Sequence, residues 1–108
     1  MVEHNLHLNS VFSSLSDPTR RDILKRVADN ELSISDIAKM YDLTFAAVSK
    51  HLKVLEKASL ISKHRKGKKF LVHLVPHAFK EASDYLSYYQ KFWEDKLDSL
   101  GKYLDKSE

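Results

Sequence analysis

A mainly α-helical chain (α+β class) carrying one short β-hairpin is what this sequence predicts, and three observations predict it. Apolar residues recur at helical spacing through most of the 108 residues. Only two glycines and two prolines are present, so tight turns are few and helices dominate. One of the glycines, Gly67, lies within a basic run between two short β-like stretches.

The elements follow in order. Leu8, Val11, Phe12 and Leu15 fall at i, i+3, i+4 and i+7, which predicts a first amphipathic helix over about 4–15. Ser16-Asp17-Pro18 restarts the chain, with Asp17 as N-cap and Pro18 at the first helical position. This second helix runs to about Ala28 and buries Ile23, Leu24 and Val27. Ser33, with Asp36 three residues on, forms a capping-box pattern that opens a third helix. Ile34, Ile37, Ala38 and Met40 are its apolar positions. Tyr41-Asp42-Leu43 is the turn, and Thr44 caps a fourth helix through about Ala58. Two short helices joined by so short a turn, the second one basic, make a helix-turn-helix over 33–58.

Ile61–Arg65 and Phe70–Val75 are β-like and joined at Lys66-Gly67-Lys68, giving a hairpin, or wing, over 61–75. Pro76 ends it, and 77–104 reads as one long helix. The whole is a single winged-helix domain, 1–108, of four helices, a hairpin and a fifth helix. Segments 1–16 and 77–105 are its dimerisation helices.

Charge concentrates in one place. Residues 44–69 carry Lys50, Lys53, Lys57, Lys63, Arg65, Lys66, Lys68 and Lys69 against the single acid Glu56. That segment is at +7 in a chain of +3, which leaves −4 elsewhere. A focused basic surface on a mildly acidic body is the footprint of phosphate-backbone binding. With no cysteine there is no disulfide, thiolate ligand or thiol switch. No apolar run reaches the ~20 residues of a membrane span. The N-terminal stretch lacks a signal-peptide core, so a soluble cytoplasmic protein is expected.

LSDPTRRDIL, ELSISDIA, VSKHLKVLEKASLI and the basic glycine-containing hairpin resemble, in order and spacing, the ArsR/SmtB-type winged helix-turn-helix regulators. The resemblance covers about residues 10–76. It implies a sequence-specific DNA-binding transcriptional regulator, most often a repressor, acting on double-stranded DNA as a homodimer. One departure is Ser59, where the family usually has glycine.

Val48, Leu52 and Leu55 form the buried stripe of the fourth helix. Ala46, Ser49, Lys50, Lys53 and Lys57 then project outward, with Thr44 and Phe45 at the exposed N-terminal end. Phe45, Ala46, Ser49 and Lys50 are the candidate DNA-reading edge, while Lys53 and Lys57 neutralise backbone. Phe45 lies about 60° from the stripe centre at ~100° per residue. It therefore either meets a thymine methyl or folds back into the core. Arg65, Lys66, Lys68 and Lys69 are the wing's candidate backbone contacts, and Ser33 and Ser35 are further phosphate candidates.

Seven of the eleven aromatics fall within 79–103, and Ala82, Leu86, Tyr89, Trp93, Leu97, Leu100 and Leu104 continue one helical stripe. A domain of this size cannot cover so long a helix, so a second copy is the expected partner. Leu8, Val11 and Phe12 of the first helix join Leu86, Tyr89, Trp93, Leu97 and Leu100 as the dimer face. A two-fold dimer implies an inverted-repeat operator with half-sites ~34 Å apart.

No cofactor, metal or catalytic site is expected. Where many of these regulators place metal-binding cysteines, this chain has Ser33 and Ser35, and hydroxyls are poor ligands for such metals. His77, Glu81 and Asp84, with His4 and His7, make a weaker carboxylate–imidazole alternative for a metal-responsive repressor. No nucleophile elbow, P-loop or dinucleotide-binding glycine pattern occurs, which argues against an enzyme. The resemblance leaves control open to an unidentified small-molecule or protein effector. A winged-helix protein-interaction module is the remaining alternative.

Overall fold

The second, third and fourth helices each begin where a side chain supplies the missing acceptor. The computed structural model of the chain describes residues 6–106. Its first helix, α1 (Leu6–Ser14), ends at a tight connection to α2 (Pro18–Asp29). Asp17 caps α2 by accepting the Arg20 N–H at 3.0 Å, and Pro18 occupies the first turn. Arg20 and Arg21 also reach back to α1. The Arg20 Nε donates to the Ser14 carbonyl at 2.6 Å, and an Arg21 guanidinium nitrogen donates to that of Leu15 at 2.8 Å. These are the orphan carbonyls of a helix C-terminus, where cations are also favoured by the dipole. One Asp-Pro-Thr-Arg-Arg segment therefore closes one helix and opens the next.

A short strand that the sequence does not announce follows: β1 (Leu32–Ser33). Two residues are too few to show a period. Ser33 then caps α3 (Ile34–Tyr41) in a complete capping box, with the Asp36 carboxylate bonded back to the Ser33 N–H at 3.0 Å. The helix stops at Asp42, whose left-handed backbone (φ 52) lets the Leu43 N–H reach the Ala38 carbonyl at 3.1 Å. Met40 departs from the sequence expectation. It is 45% exposed, with the Arg26 guanidinium 4.0 Å from its sulfur, because α3 meets α2 through Tyr41 instead. There the Tyr41 hydroxyl donates to Asp22, and Arg26 pairs with the same carboxylate at 3.0 Å while lying 5.5 Å from the Tyr41 ring.

Thr44 caps α4 (Phe45–Lys57) by accepting the Ala47 N–H at 3.1 Å. Val48, Leu52 and Leu55 are fully enclosed, as their spacing predicts. The helix ends in a Schellman arrangement, Leu60 N–H to Leu55 carbonyl and Ser59 N–H to Glu56 carbonyl, both at 3.0 Å. That geometry puts Ser59 at φ 61, the conformation glycine adopts without strain. Strands β2 (Ile61–Lys66) and β3 (Lys69–Leu74) form the hairpin, and β1 pairs the other edge of β3, giving the antiparallel order β1-β3-β2. Lys66 pairs Lys69, so Gly67 and Lys68 are the loop, with Gly67 at φ 64 in the manner of a type II′ turn.

The core is one cluster in which Val11, Ile23, Ile37, Leu60 and Val72 join the α4 stripe. Val11 corrects the sequence expectation that assigned it to the dimer face. It is enclosed within its own chain, because α1 packs against both α4 and α5 (Pro76–Lys106). Helix α5 spans ~46 Å at 1.5 Å per residue, yet only Ala78 and Ala82 are buried. From Leu86 onward every described side chain is exposed, and the molecule measures 67 × 30 × 21 Å.

Two outcomes follow from these local devices. Ser59→Gly is expected to raise stability by roughly 0.5–1 kcal/mol, relief of the left-handed strain being partly offset by the greater freedom of unfolded glycine. Urea denaturation of the two proteins checks it. The second concerns pH. Hydrogen bonds hold three carboxyls below their usual value near 3.8: Asp17 through the Arg20 N–H, Asp22 through Tyr41 and then Arg26, and Asp36 through Ser33. Their stabilisation is full above pH 4 and is lost as pH falls through the depressed values. Burial, then the bond to Asp22, pushes the Tyr41 hydroxyl up to about 12. Its contribution is full below pH 10 and disappears as pH rises toward 12, so Tyr41→Phe should lack this alkaline loss in a urea-midpoint series.

Candidate nucleic-acid interface

With its stripe buried, α4 turns its other face to solvent. Thr44, Phe45, Ala46, Lys50, Lys53 and Lys57 are exposed and Ser49 is half-exposed. Phe45, which the sequence left between two environments, is outside the core and 56% exposed. The first turn of α4 contains no acid, so its free N–H groups carry an uncompensated positive end toward solvent. Glu56, the only acid of the basic segment, is paired with Lys63 at 3.3 Å, a bridge that ties α4 to β2. Among the described residues no ion pair engages Lys50, Lys53, Lys57, Arg65, Lys66, Lys68 or Lys69.

The wing is partly pre-shaped. The Arg65 Nε donates to the Gly67 carbonyl at 3.1 Å, and its guanidinium lies 5.9 Å from the Phe70 ring. Arg65 thus braces the turn while keeping its charge at the surface. Lys66 and Lys69 stand directly opposite one another across the hairpin. Such a like-charged pair weakens an isolated hairpin. An anion lying along the wing would relieve it.

Between α4 and the wing lies an open groove of about 380 Å³, lined by Ile34, Phe45, Ser49, Glu56, Lys63 and Phe70. A second hollow, lined by Ser33, Ser35, Lys68 and Lys69, shares Ile34, Phe45 and Phe70 with it. The structure therefore brings the α4 edge, the start of α3 and the wing onto one continuous surface. Ser33 itself is buried, with its hydroxyl accepting the Asp36 N–H at 3.1 Å, whereas Ser35 is exposed. Sequence reasoning missed Phe70. It alternates with buried Val72, a pattern that reads as sheet core, but at the hairpin's outer end it has the Arg65 guanidinium beside it and is 45% exposed.

The residues considered for metal binding are dispersed or engaged. His77 pairs with Glu81 at 2.7 Å one turn along α5, Asp84 is exposed beyond them, and His4 lies outside the described residues. Among the described residues no group of three or more His, Cys, Asp or Glu could hold a metal ion. No described helix is long and apolar enough to cross a membrane. The candidate dimer residues of α5 are all exposed, from Tyr89 at 41% to Leu97 at 62%, while Leu8 and Phe12 of α1 are half-buried.

The model of the bacterial regulatory protein arsR family matches residues 17–63, which span α2 through the first half of β2. Over 60 residues the chain is 42% identical to the transcriptional repressor SdpR of Bacillus subtilis, covering 56% of this chain and 67% of that protein. It is 30% identical over 94 residues to the HTH-type regulator Rv2034 of Mycobacterium tuberculosis, covering 87% and 85% of the two chains. Among solved structures it resembles the homodimeric winged helix-turn-helix DNA-binding domain of Mb0332 from Mycobacterium bovis. That match has a TM-score of 0.62 and 20% identity, over 84% of this chain and 82% of the other. With a helix-turn-helix and basic wing on one surface, the chain belongs to the arsR family of DNA-binding transcriptional regulators, without the cysteine motif of its metal-sensing members.

Proposed function

We propose that the chain is a homodimeric repressor that binds an inverted-repeat operator in double-stranded DNA. The observation that carries this reading is the division of the molecule into two unpartnered surfaces. One is cationic and holds the α4 edge and the wing. The other is the apolar stripe of α5, from Leu86 through Leu100, which stays exposed among the described residues, Tyr89 at 41% and Leu97 at 62%. Phosphates satisfy the first, and a second copy satisfies the second by laying α5 against its counterpart, with Leu8 and Phe12 of α1 at the edge.

On the DNA, the N-terminal residues of α4 enter the major groove. Thr44, Phe45, Ala46, Ser49 and Lys50 face base edges, and Lys53 faces the backbone. Arg65, Lys66, Lys68 and Lys69 track phosphates along the wing. Two copies related by a two-fold axis place their α4 helices one helical turn apart, ~34 Å, and a site so occupied is closed to polymerase. SdpR is itself named a transcriptional repressor, which supports the sign of the regulation.

Binding to DNA sites selected from random sequence, measured across salt, tests the reading. An inverted repeat and a steep salt dependence support it, whereas binding only to acidic protein, with no selected site, would point to an interaction module. Replacing Lys66, Lys68 and Lys69 with alanine is expected to weaken binding to every sequence. The slope of log affinity against log salt should flatten by ~0.9 per lost phosphate contact. Leu97→Asp with Leu100→Asp should yield a monomer by sedimentation and reduce operator affinity at least about 100-fold, the gain that joining two half-sites supplies. Because both leucines lie outside the core, far-UV circular dichroism should be unchanged.

A further inference from the structure

Phe45 and Phe70 come from different elements, and the fold leaves both rings exposed. Phe45 is the first residue of α4 and projects beside the Thr44 cap. Phe70 pairs Arg65 across the hairpin and lies on the same sheet face as Lys63, which pairs Val72. Both rings, about half exposed, flank one groove floored by Ile34. Its rim is cationic on the wing side, where Lys68 and Lys69 stand, and on the other side carries Ser49 and the mutually neutralised pair Lys63–Glu56. An apolar centre beside a positively charged edge suits an occupant that is anionic overall and presents a small apolar group at its edge.

Three occupants can be compared. A small molecule fits poorly, because a ligand pocket encloses most of its guest whereas this groove stands open with its aromatic walls half exposed. A second copy of the chain, docked about a two-fold axis through the groove, would set Lys68 and Lys69 against their equivalents. Duplex DNA matches both features. Its phosphates face the rim, and in the major groove the 5-methyl of thymine is the apolar group that a base edge offers.

We infer that Phe45 and Phe70 together form a 5-methyl-pyrimidine contact, which makes thymine at one or two positions of each half-site a specificity determinant. Phe45 meets the methyl from the N-terminus of α4. Phe70, held by the Arg65 guanidinium, closes the groove behind it and excludes water from the contact. The inference rests on the DNA-binding reading above and adds to it the chemical group that is recognised.

The test removes the methyl and leaves the protein unchanged. Once a site has been selected, each thymine in turn is replaced by uracil, which keeps every base-pairing and major-groove hydrogen-bonding atom. Wild-type protein should lose about fourfold in affinity per contacted methyl, the equivalent of ~0.8 kcal/mol of apolar burial. Phe45→Ala and Phe70→Ala should bind the thymine and uracil sites alike, while retaining the salt dependence of the wild type. Equal wild-type affinity for thymine and uracil sites would overturn the inference while leaving the DNA-binding reading intact. Undiminished discrimination in either variant would overturn the pairing of the two rings. A chain that selects no site at all would remove both readings.

Discussion

Burial of Val48, Leu52 and Leu55 is the constraint on which the rest of the molecule depends. All three are fully enclosed, and α1, α2, α3 and β2 each pack against the helix that carries them. A helix with one buried stripe has no freedom of roll, since rotation by a single residue would expose a leucine and bury a lysine. The stripe therefore decides that Ala46, Lys50 and Lys53 point outward. Axial position is set separately, by Thr44 at one end and the Schellman turn at Ser59 at the other. Roll and translation together fix where the N-terminus of α4 meets the groove of the wing.

Those determinants were legible in the sequence because each is local. The 3.6-residue period exposes the stripe, and Asp17, Ser33 and Thr44 advertise their capping by side-chain chemistry. What was not legible depended on a partner distant in the chain. The bonds from Arg20 and Arg21 to α1 carbonyls need the angle at which two helices meet, which no residue pattern encodes. Val11 shows the same limit: periodicity says that a face is apolar, not which molecule covers it. Phe45 lay on the flank of the stripe, where a difference of tens of degrees separates core from surface, and its exposure is decided by how α3 and the wing sit beside it. The site was thus readable in its charges and less so in its apolar members.

Charge in this surface is organised for binding rather than for folding. Its only acid is neutralised across the α4–β2 join, and among the described residues no ion pair engages the remaining lysines and Arg65 of the segment. Lys66 opposite Lys69 opposes hairpin formation, yet the hairpin holds through its turn: Gly67 supplies the positive φ, and Arg65 bonds the Gly67 carbonyl and lies beside Phe70. A wing braced in this way loses little freedom when it meets a phosphate backbone, so more of the electrostatic attraction is retained as affinity. Shape, then, comes from the apolar and capping residues, and the lysines are left to act on the partner.

Helix α1 joins this surface to the opposite one. It is bonded to α2 through Arg20 and Arg21, packed against α4 through the core, and in contact with α5, where Phe12 lies 6.1 Å from the Tyr85 ring. No glycine interrupts the chain between α1 and the wing turn, so nothing in that path offers an easy hinge. Beyond Tyr85 the apolar residues of α5 from Leu86 to Leu100 meet only neighbours on their own helix, such as Phe92 against Trp93, and remain exposed, which is unfavourable until a second surface covers them. In the proposed dimer, the angle at which that second surface docks is passed through α1 as a rigid packing relation to α4. The spacing of the two reading edges would then be set by side chains that never approach DNA, and any effector able to shift the packing of α5 would act on operator affinity without touching the basic surface.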